Sequence, residues 1–161
     1  MPFRLKNEVD SWFSQIHKQG PLKTKFDLYY FCLMAGFSAN KKSSSVEAIA
    51  SEITDNFVAE YKPVQRLIIG LLIVAEIKKL GIEITDKDEV QGILIRYTTP
   101  ESLTHLTEEG LKQLNCYASG GFDYLTKVFP TKPHTLEEFL RRYTQVVDSA
   151  VKSNDLLLQF Q

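Results

Sequence analysis

Apolar residues recur along most of this chain at the three-to-four-residue spacing of an α-helix. Leu5, Val9, Trp12, Phe13 and Ile16 form one such face and predict a first helix ending near Gly20-Pro21. Thr24 with Asp27 three residues on has the form of a helix start. The run KFDLYYFCLMAG then predicts a second helix, apolar nearly all round, with Gly36 as its stop. Tyr29, Tyr30 and Phe31 are adjacent, so on a helix they must face different neighbours. Val46, Ile49, Ala50, Ile53 and Phe57 resume helical spacing.

The most apolar stretch follows. Leu67 to Ala75 carries no charge, Pro63 suits a first helical position, and Gly81 suits a helix end, with Lys78 and Lys79 in the last turn complementing the dipole. A helix apolar on all sides is normally buried on all sides. The expectation is therefore that residues 63–80 form the buried central helix.

Beyond it, Asp86 caps a helix with the face Val90, Ile93, Leu94 and Tyr97. Thr107 starts another, carrying Leu111, Leu114 and Ala118 and continuing through Phe122, Leu125 and Phe129. Gly120-Gly121 interrupts this pattern at a cost of roughly 2 kcal/mol relative to alanines. Either the helix kinks or splits there, which the continuing face favours, or another backbone packs close. Thr135 and Glu138 bracket a capping box before the clearest amphipathic stripe: Leu136, Phe139, Leu140, Tyr143, Val147, Ala150 and Val151. Ser153-Asn154-Asp155 is the expected end, leaving an apolar tail, LLLQFQ. The count is six to eight helices with short connections, a single all-α domain over residues 1–161. The polar segment 41–45 is expected to be a mobile loop.

Composition adds limits. The chain has 161 residues with 43% hydrophobic and 24% charged, ordinary for one globular domain. A net charge of −1 gives no global attraction to nucleic acid or membrane. No apolar run reaches the ~20 residues a membrane span needs, and the N-terminal segment lacks a signal-peptide core. Cys32 and Cys116 lie in apolar segments and read as buried free thiols of a reducing, cytoplasmic compartment.

Candidate chemistry is sparse. His17, His105 and His134 are far apart, and no paired-histidine metal motif, CxxC, GxSxG, P-loop or GxGxxG occurs. No cofactor or catalytic residue is assigned. Paired carboxylates at Glu108-Glu109 and Glu137-Glu138 fall in first helical turns, where the dipole accounts for them. The leading reading is a non-catalytic protein-interaction module, an accessory subunit or a homo-oligomer, with Trp12 and the tail residues Leu156, Leu157, Leu158 and Phe160 as candidate partner-binding anchors. The alternative is nucleic-acid binding through an N-terminal basic patch. Its candidates are Lys23 and Lys25 beside the start of the second helix, where free N–H groups favour phosphate, and Lys41 and Lys42 beyond its end.

The segment PLKTKFDLYYFCLMAGFSANKK, about an eighth of the chain, resembles a stretch of small accessory proteins from bacterial DNA-modification and phage-defence systems, including those associated with phosphorothioation. What carries the resemblance is the Thr24–Asp27 start, the apolar run Leu28 to Ala35, and Gly36-Phe37 followed by basic residues. It implies a non-catalytic partner of larger DNA-acting enzymes and transfers no catalytic residue.

Overall fold

The computed structural model describes residues 2–44 and 50–159, the last five as backbone course only. The chain is mostly helical. Strand β1 (Phe3–Lys6) is followed by a short helix α1 (Glu8–Trp12), α2 (Lys25–Ala39), β2 (Ala50–Thr54), a 3-10 segment (Ala59–Val64), and then α3 (Gln65–Lys79), α4 (Lys87–Tyr97), α5 (Glu108–Val128) and α6 (Leu136–Gln159).

The expected all-α architecture is corrected at the two places where a small sheet forms. Phe3-Arg4-Leu5-Lys6 alternates apolar and polar, and Phe3 and Leu5 turn inward while Arg4 and Lys6 stay partly exposed. This strand pairs antiparallel with Ala50–Thr54, Arg4 opposite Glu52 and Lys6 opposite Ala50, where helical spacing had pointed to a third helix. Its tie to the body is partly polar. The buried side-chain oxygen of Asn115 accepts from the Arg4 N–H at 3.0 Å and from the Tyr29 hydroxyl at 2.8 Å, while its amide donates to the Pro2 carbonyl at 3.1 Å.

The central helix is also a correction. Residues 65–79 do form a helix, but only Ile68, Leu72, Ile73, Glu76 and Ile77 are buried; Leu67 is 59% and Val74 41% exposed. The centre is α5, with twelve buried residues including Asn115, Ser119, Gly120 and Gly121. An aliphatic run reports that a helix is apolar all round, not that neighbours exist to cover it.

Helix α2 lies along α5 and α6. It passes Gly36 without stopping and ends at Asn40, whose φ of 53° is the left-handed closing conformation. Gly36 instead serves packing. A Cβ there would overlap the Tyr117 carbonyl, and one on Gly121 would overlap the carbonyl oxygen of Cys32. Gly120 meets the loop after α2, with the Lys41 oxygen 2.6 Å from where its Cβ would stand. The glycine pair thus neither kinks nor splits α5; it admits two other backbones.

The adjacent aromatics of α2 diverge as their spacing requires. Tyr29 meets Phe3 and Phe26, Tyr30 meets Tyr61, and Phe31 meets Phe139 and Tyr143. Trp12 is 7% exposed and packs edge-on against Phe13, Phe122, Phe129 and Phe139, which fixes α1 to α5 and α6. Helix α6 continues past Asp155 to Gln159. Among the described residues no helix is long and apolar enough to cross a membrane.

Two helix-interior glycines should respond oppositely to alanine. Gly121→Ala is expected to destabilise by about 3 kcal/mol or more, since a Cβ can only be admitted by separating α2 from α5. Gly70→Ala, with nothing within 4 Å, is expected to stabilise by up to ~1 kcal/mol. Urea denaturation of both variants measures the contrast.

Candidate functional site: an ionic cluster beneath an aliphatic face

Helix α3 buries Ile68, Leu72, Ile73 and Ile77 as expected but departs from the usual distribution of side chains at one acid and two aliphatics. Its one carboxylate, Glu76, falls on the line of Ile68 and Leu72 at four-residue intervals and is 1% exposed. On the other side Leu67, Gly70 and Val74 follow one another at helical spacing, all exposed.

Glu76 is held by a complete set of donors. Tyr117 on α5 donates to its Oε2 at 2.9 Å, and Tyr97 on α4 donates to Oε1 at 3.1 Å. Lys42 Nζ reaches Oε1 at 3.1 Å and Oε2 at 3.3 Å, with a further bond to Gln113 Oε1 at 2.8 Å. Gln113 donates in turn to Glu109 at 2.9 Å, which lies 3.7 Å from Arg96. One carboxylate therefore joins α3, α4, α5 and the loop after α2. A charge this deep is tolerable only when paired and hydrogen-bonded, and both conditions are met.

Lys42 reaches the cluster because its loop is pinned. The Lys41 N–H donates to the Gly36 carbonyl at 2.9 Å, the Ser43 N–H donates to the Cys116 carbonyl at 3.0 Å, and the backbone of Lys41 and Lys42 rests on Gly120. The expectation of a mobile loop is thus corrected for Lys41 to Ser43. A glycine with no side chain and a lysine with a buried acid to meet fix a segment whose composition reads as polar linker. Ser45 lies outside the described residues.

The four candidate phosphate contacts do not converge. Lys23 and Lys25 stand at the start of α2, Lys41 and Lys42 past its end, about 22 Å away along a 15-residue helix. Lys42 is committed to Glu76, and Lys25 pairs with Asp10 at 3.0 Å. A carboxylate already stands at the start of α2, where phosphate was expected. Asp27 accepts from the Lys23 and Thr24 N–H groups at 2.9 and 2.7 Å, and Thr24 caps the Asp27 N–H. Lys41 instead joins a different cationic group. Lys79 on α3 donates to the Asn40 carbonyl at 3.4 Å, and partial burial followed by the nearby Lys42 charge lowers its pKa.

Trp12, a candidate partner contact in the sequence, is enclosed by aromatic rings and 7% exposed. Leu156, Leu157 and Leu158 continue α6 as backbone, and their side chains, with all of Phe160, lie outside the described residues. Cys32 and Cys116 are buried free thiols, and burial pushes both upward in pKa, away from reactive thiolate. Among the described residues no three His, Cys, Asp or Glu side chains converge as a metal site would need. Sequence reasoning missed Glu76, Tyr97, Gln113 and Tyr117 as a unit. The available signal was a single acid placed four and eight residues after two core aliphatics.

No protein-family model, curated protein or solved structure matches the chain.

Removing one member of the cluster should cost more than removing the charge pair. Lys42→Met strands a buried carboxylate and is expected to destabilise by about 3 kcal/mol. Lys42→Met combined with Glu76→Gln removes the charge, keeps a carbonyl acceptor for one tyrosine and sets an amide N–H against the hydroxyl oxygen of the other, and should be more stable than Lys42→Met alone in urea denaturation.

Alkali should open the same cluster. Burial, then the Glu76 carboxylate, raises the Tyr97 phenol from 10.0 to about 12. Tyr117 is raised further by the same causes. The folded state favours the neutral phenols, so their contribution to stability is full below pH 10, and the part due to Tyr97 is lost as pH rises through about 12. Circular dichroism against pH, read beside tyrosinate absorbance, should show helix loss and delayed tyrosine ionisation occurring together in that window.

Proposed function

We propose that this protein is a non-catalytic interaction module, an accessory subunit whose α3 surface docks on another protein. The supporting observation lies on α3: its carboxylate is buried and satisfied, while Leu67 and Val74 stand 59% and 41% exposed on one line. Single exposed aliphatics are common. A line of them on a helix anchored through Glu76 by one ion pair and two tyrosine hydroxyls is a surface prepared for contact. The resemblance of residues 21–42 to accessory proteins of DNA-modification and phage-defence systems extends this proposal to a DNA-acting enzyme complex as the setting. The cytoplasm is the compartment consistent with two free thiols.

Direct nucleic-acid binding through Lys23, Lys25, Lys41 and Lys42 has less support, because an acid already answers Lys25 and Lys42 and a carboxylate fills the start of α2.

The test is affinity capture from the source cell with tagged wild type, the Leu67→Glu/Val74→Glu variant and the Lys23→Ala/Lys25→Ala variant. The expected result is a protein captured by wild type and by the lysine variant, and at least tenfold depleted with the α3 variant. Equal capture by all three would overturn the assignment of α3.

A further inference from the structure

We infer that the exposed face of α3 receives an amphipathic helix of a partner protein, lying against Gly70 and carrying acidic residues toward both ends of α3. The inference rests on the interaction reading above and adds the chemistry of the partner.

The glycines of this chain supply the first argument. Gly36, Gly110, Gly120 and Gly121 each face a backbone that a Cβ would strike. Gly70, like Gly92 of α4, sits inside a helix, where glycine costs up to ~1 kcal/mol against alanine, with nothing within 4 Å of its missing Cβ; Gly92 has the acids Asp88 and Glu89 on one flank, whereas Gly70 is flanked by exposed aliphatics on both. Its packing role is unfilled within the chain. It lies between Leu67 and Val74, so the exposed line reads large, absent, large over about 10 Å of helix. That relief lets a second helix approach closely at the gap, with an aliphatic wall on each side. A lipid surface would gain nothing from it, since a missing side chain only removes apolar contact.

Charge supplies the second. The 15 residues of α3 hold one acid, Glu76, and it is buried. Arg66 stands exposed near the start of the face and Lys78 near its end, with Lys79 beside Lys41; the turn before α3 carries Lys62 together with Glu60. No ion pair engages Lys62, Arg66 or Lys78 among the described residues. A second copy of α3 would bring cations to cations: antiparallel, Lys62 and Arg66 approach Lys78; parallel, each meets its own equivalent. Acidic side chains at both ends of the docked helix complement this arrangement.

The probe is a displayed library of amphipathic helical peptides in two pools, with identical aliphatic positions and flanking positions encoding either Asp/Glu or Lys/Arg. The acidic pool should enrich on wild type and the basic pool should not. Peptides selected should bind Gly70→Leu at least tenfold more weakly, although that variant replaces a glycine by a better helix former and should melt no lower than wild type. Arg66→Glu/Lys78→Glu should reverse the pool preference. Equal enrichment of both pools, no enrichment of either, or undiminished binding to Gly70→Leu overturns the inference. So does a wild-type dimer in sedimentation velocity that Leu67→Glu dissociates, or co-sedimentation with phosphatidylglycerol vesicles that Gly70→Leu strengthens. If Leu67→Glu/Val74→Glu loses captured protein while the selected peptides ignore Gly70, the interaction reading stands and only the partner chemistry fails. If neither responds, both fail.

Discussion

The closest constraint in this protein is the contact of backbones where α2 crosses α5. Gly36 faces the Tyr117 carbonyl, Gly121 faces the Cys32 carbonyl, and no side chain separates them. Bringing two helices to this distance places their flanking residues in register. Tyr29 then meets Asn115, which holds β1, and Phe31 meets Phe139 and Tyr143 of α6. The same proximity carries the end of α2 past Gly120, so that the next residues of the loop are pressed onto α5.

From there the polar organisation follows. With its backbone bonded to Gly36 and Cys116, the loop extends Lys42 toward Glu76. Burying a carboxylate and an ammonium is expensive, and such pairs commonly add little net stability over aliphatic replacements. What they add is specificity of arrangement. Glu76 accepts from side chains on α4, on α5 and in the loop, and only one placement of α3 satisfies all three. That placement turns Leu67, Gly70 and Val74 outward. The aliphatic face is thus a consequence of where the charge had to go, and the interaction role proposed for it depends on this orientation.

The N-terminal half uses aromatic rings to similar effect. Trp12 reaches α5 and α6 through Phe122, Phe129 and Phe139, while Phe3 stands edge-on to Phe26, Tyr29 and Phe57. Edge-to-face pairs contribute about 0.5–1.5 kcal/mol each beyond the area they bury. They let a short helix and a two-stranded sheet join a helical body without long elements of their own.

Helix existence was legible from sequence because it depends on local periodicity and capping: Thr24 with Asp27, Asp86, and Thr107 all cap as their spacing implies. The divergence of Tyr29, Tyr30 and Phe31 was legible for the same reason, since the angle between successive residues is fixed by the helix itself. The strand Phe3–Lys6 had a readable alternation, but its partner Ala50–Thr54 lies far along the chain, and pairing at that separation leaves no local mark. The rank of α3 and α5 could not be read either. The longer uncharged run is in α3, whereas α5 is amphipathic and carries Glu108, Glu109, Lys112, Asp123 and Lys127; burial depends on which neighbours arrive, and α5 draws them through glycines that in isolation look like defects. The candidate site is the clearest case. Lys42, Glu76, Tyr97 and Tyr117 are each unremarkable in sequence, separated by tens of residues, and become one object only because a glycine crossing brings their backbones within reach.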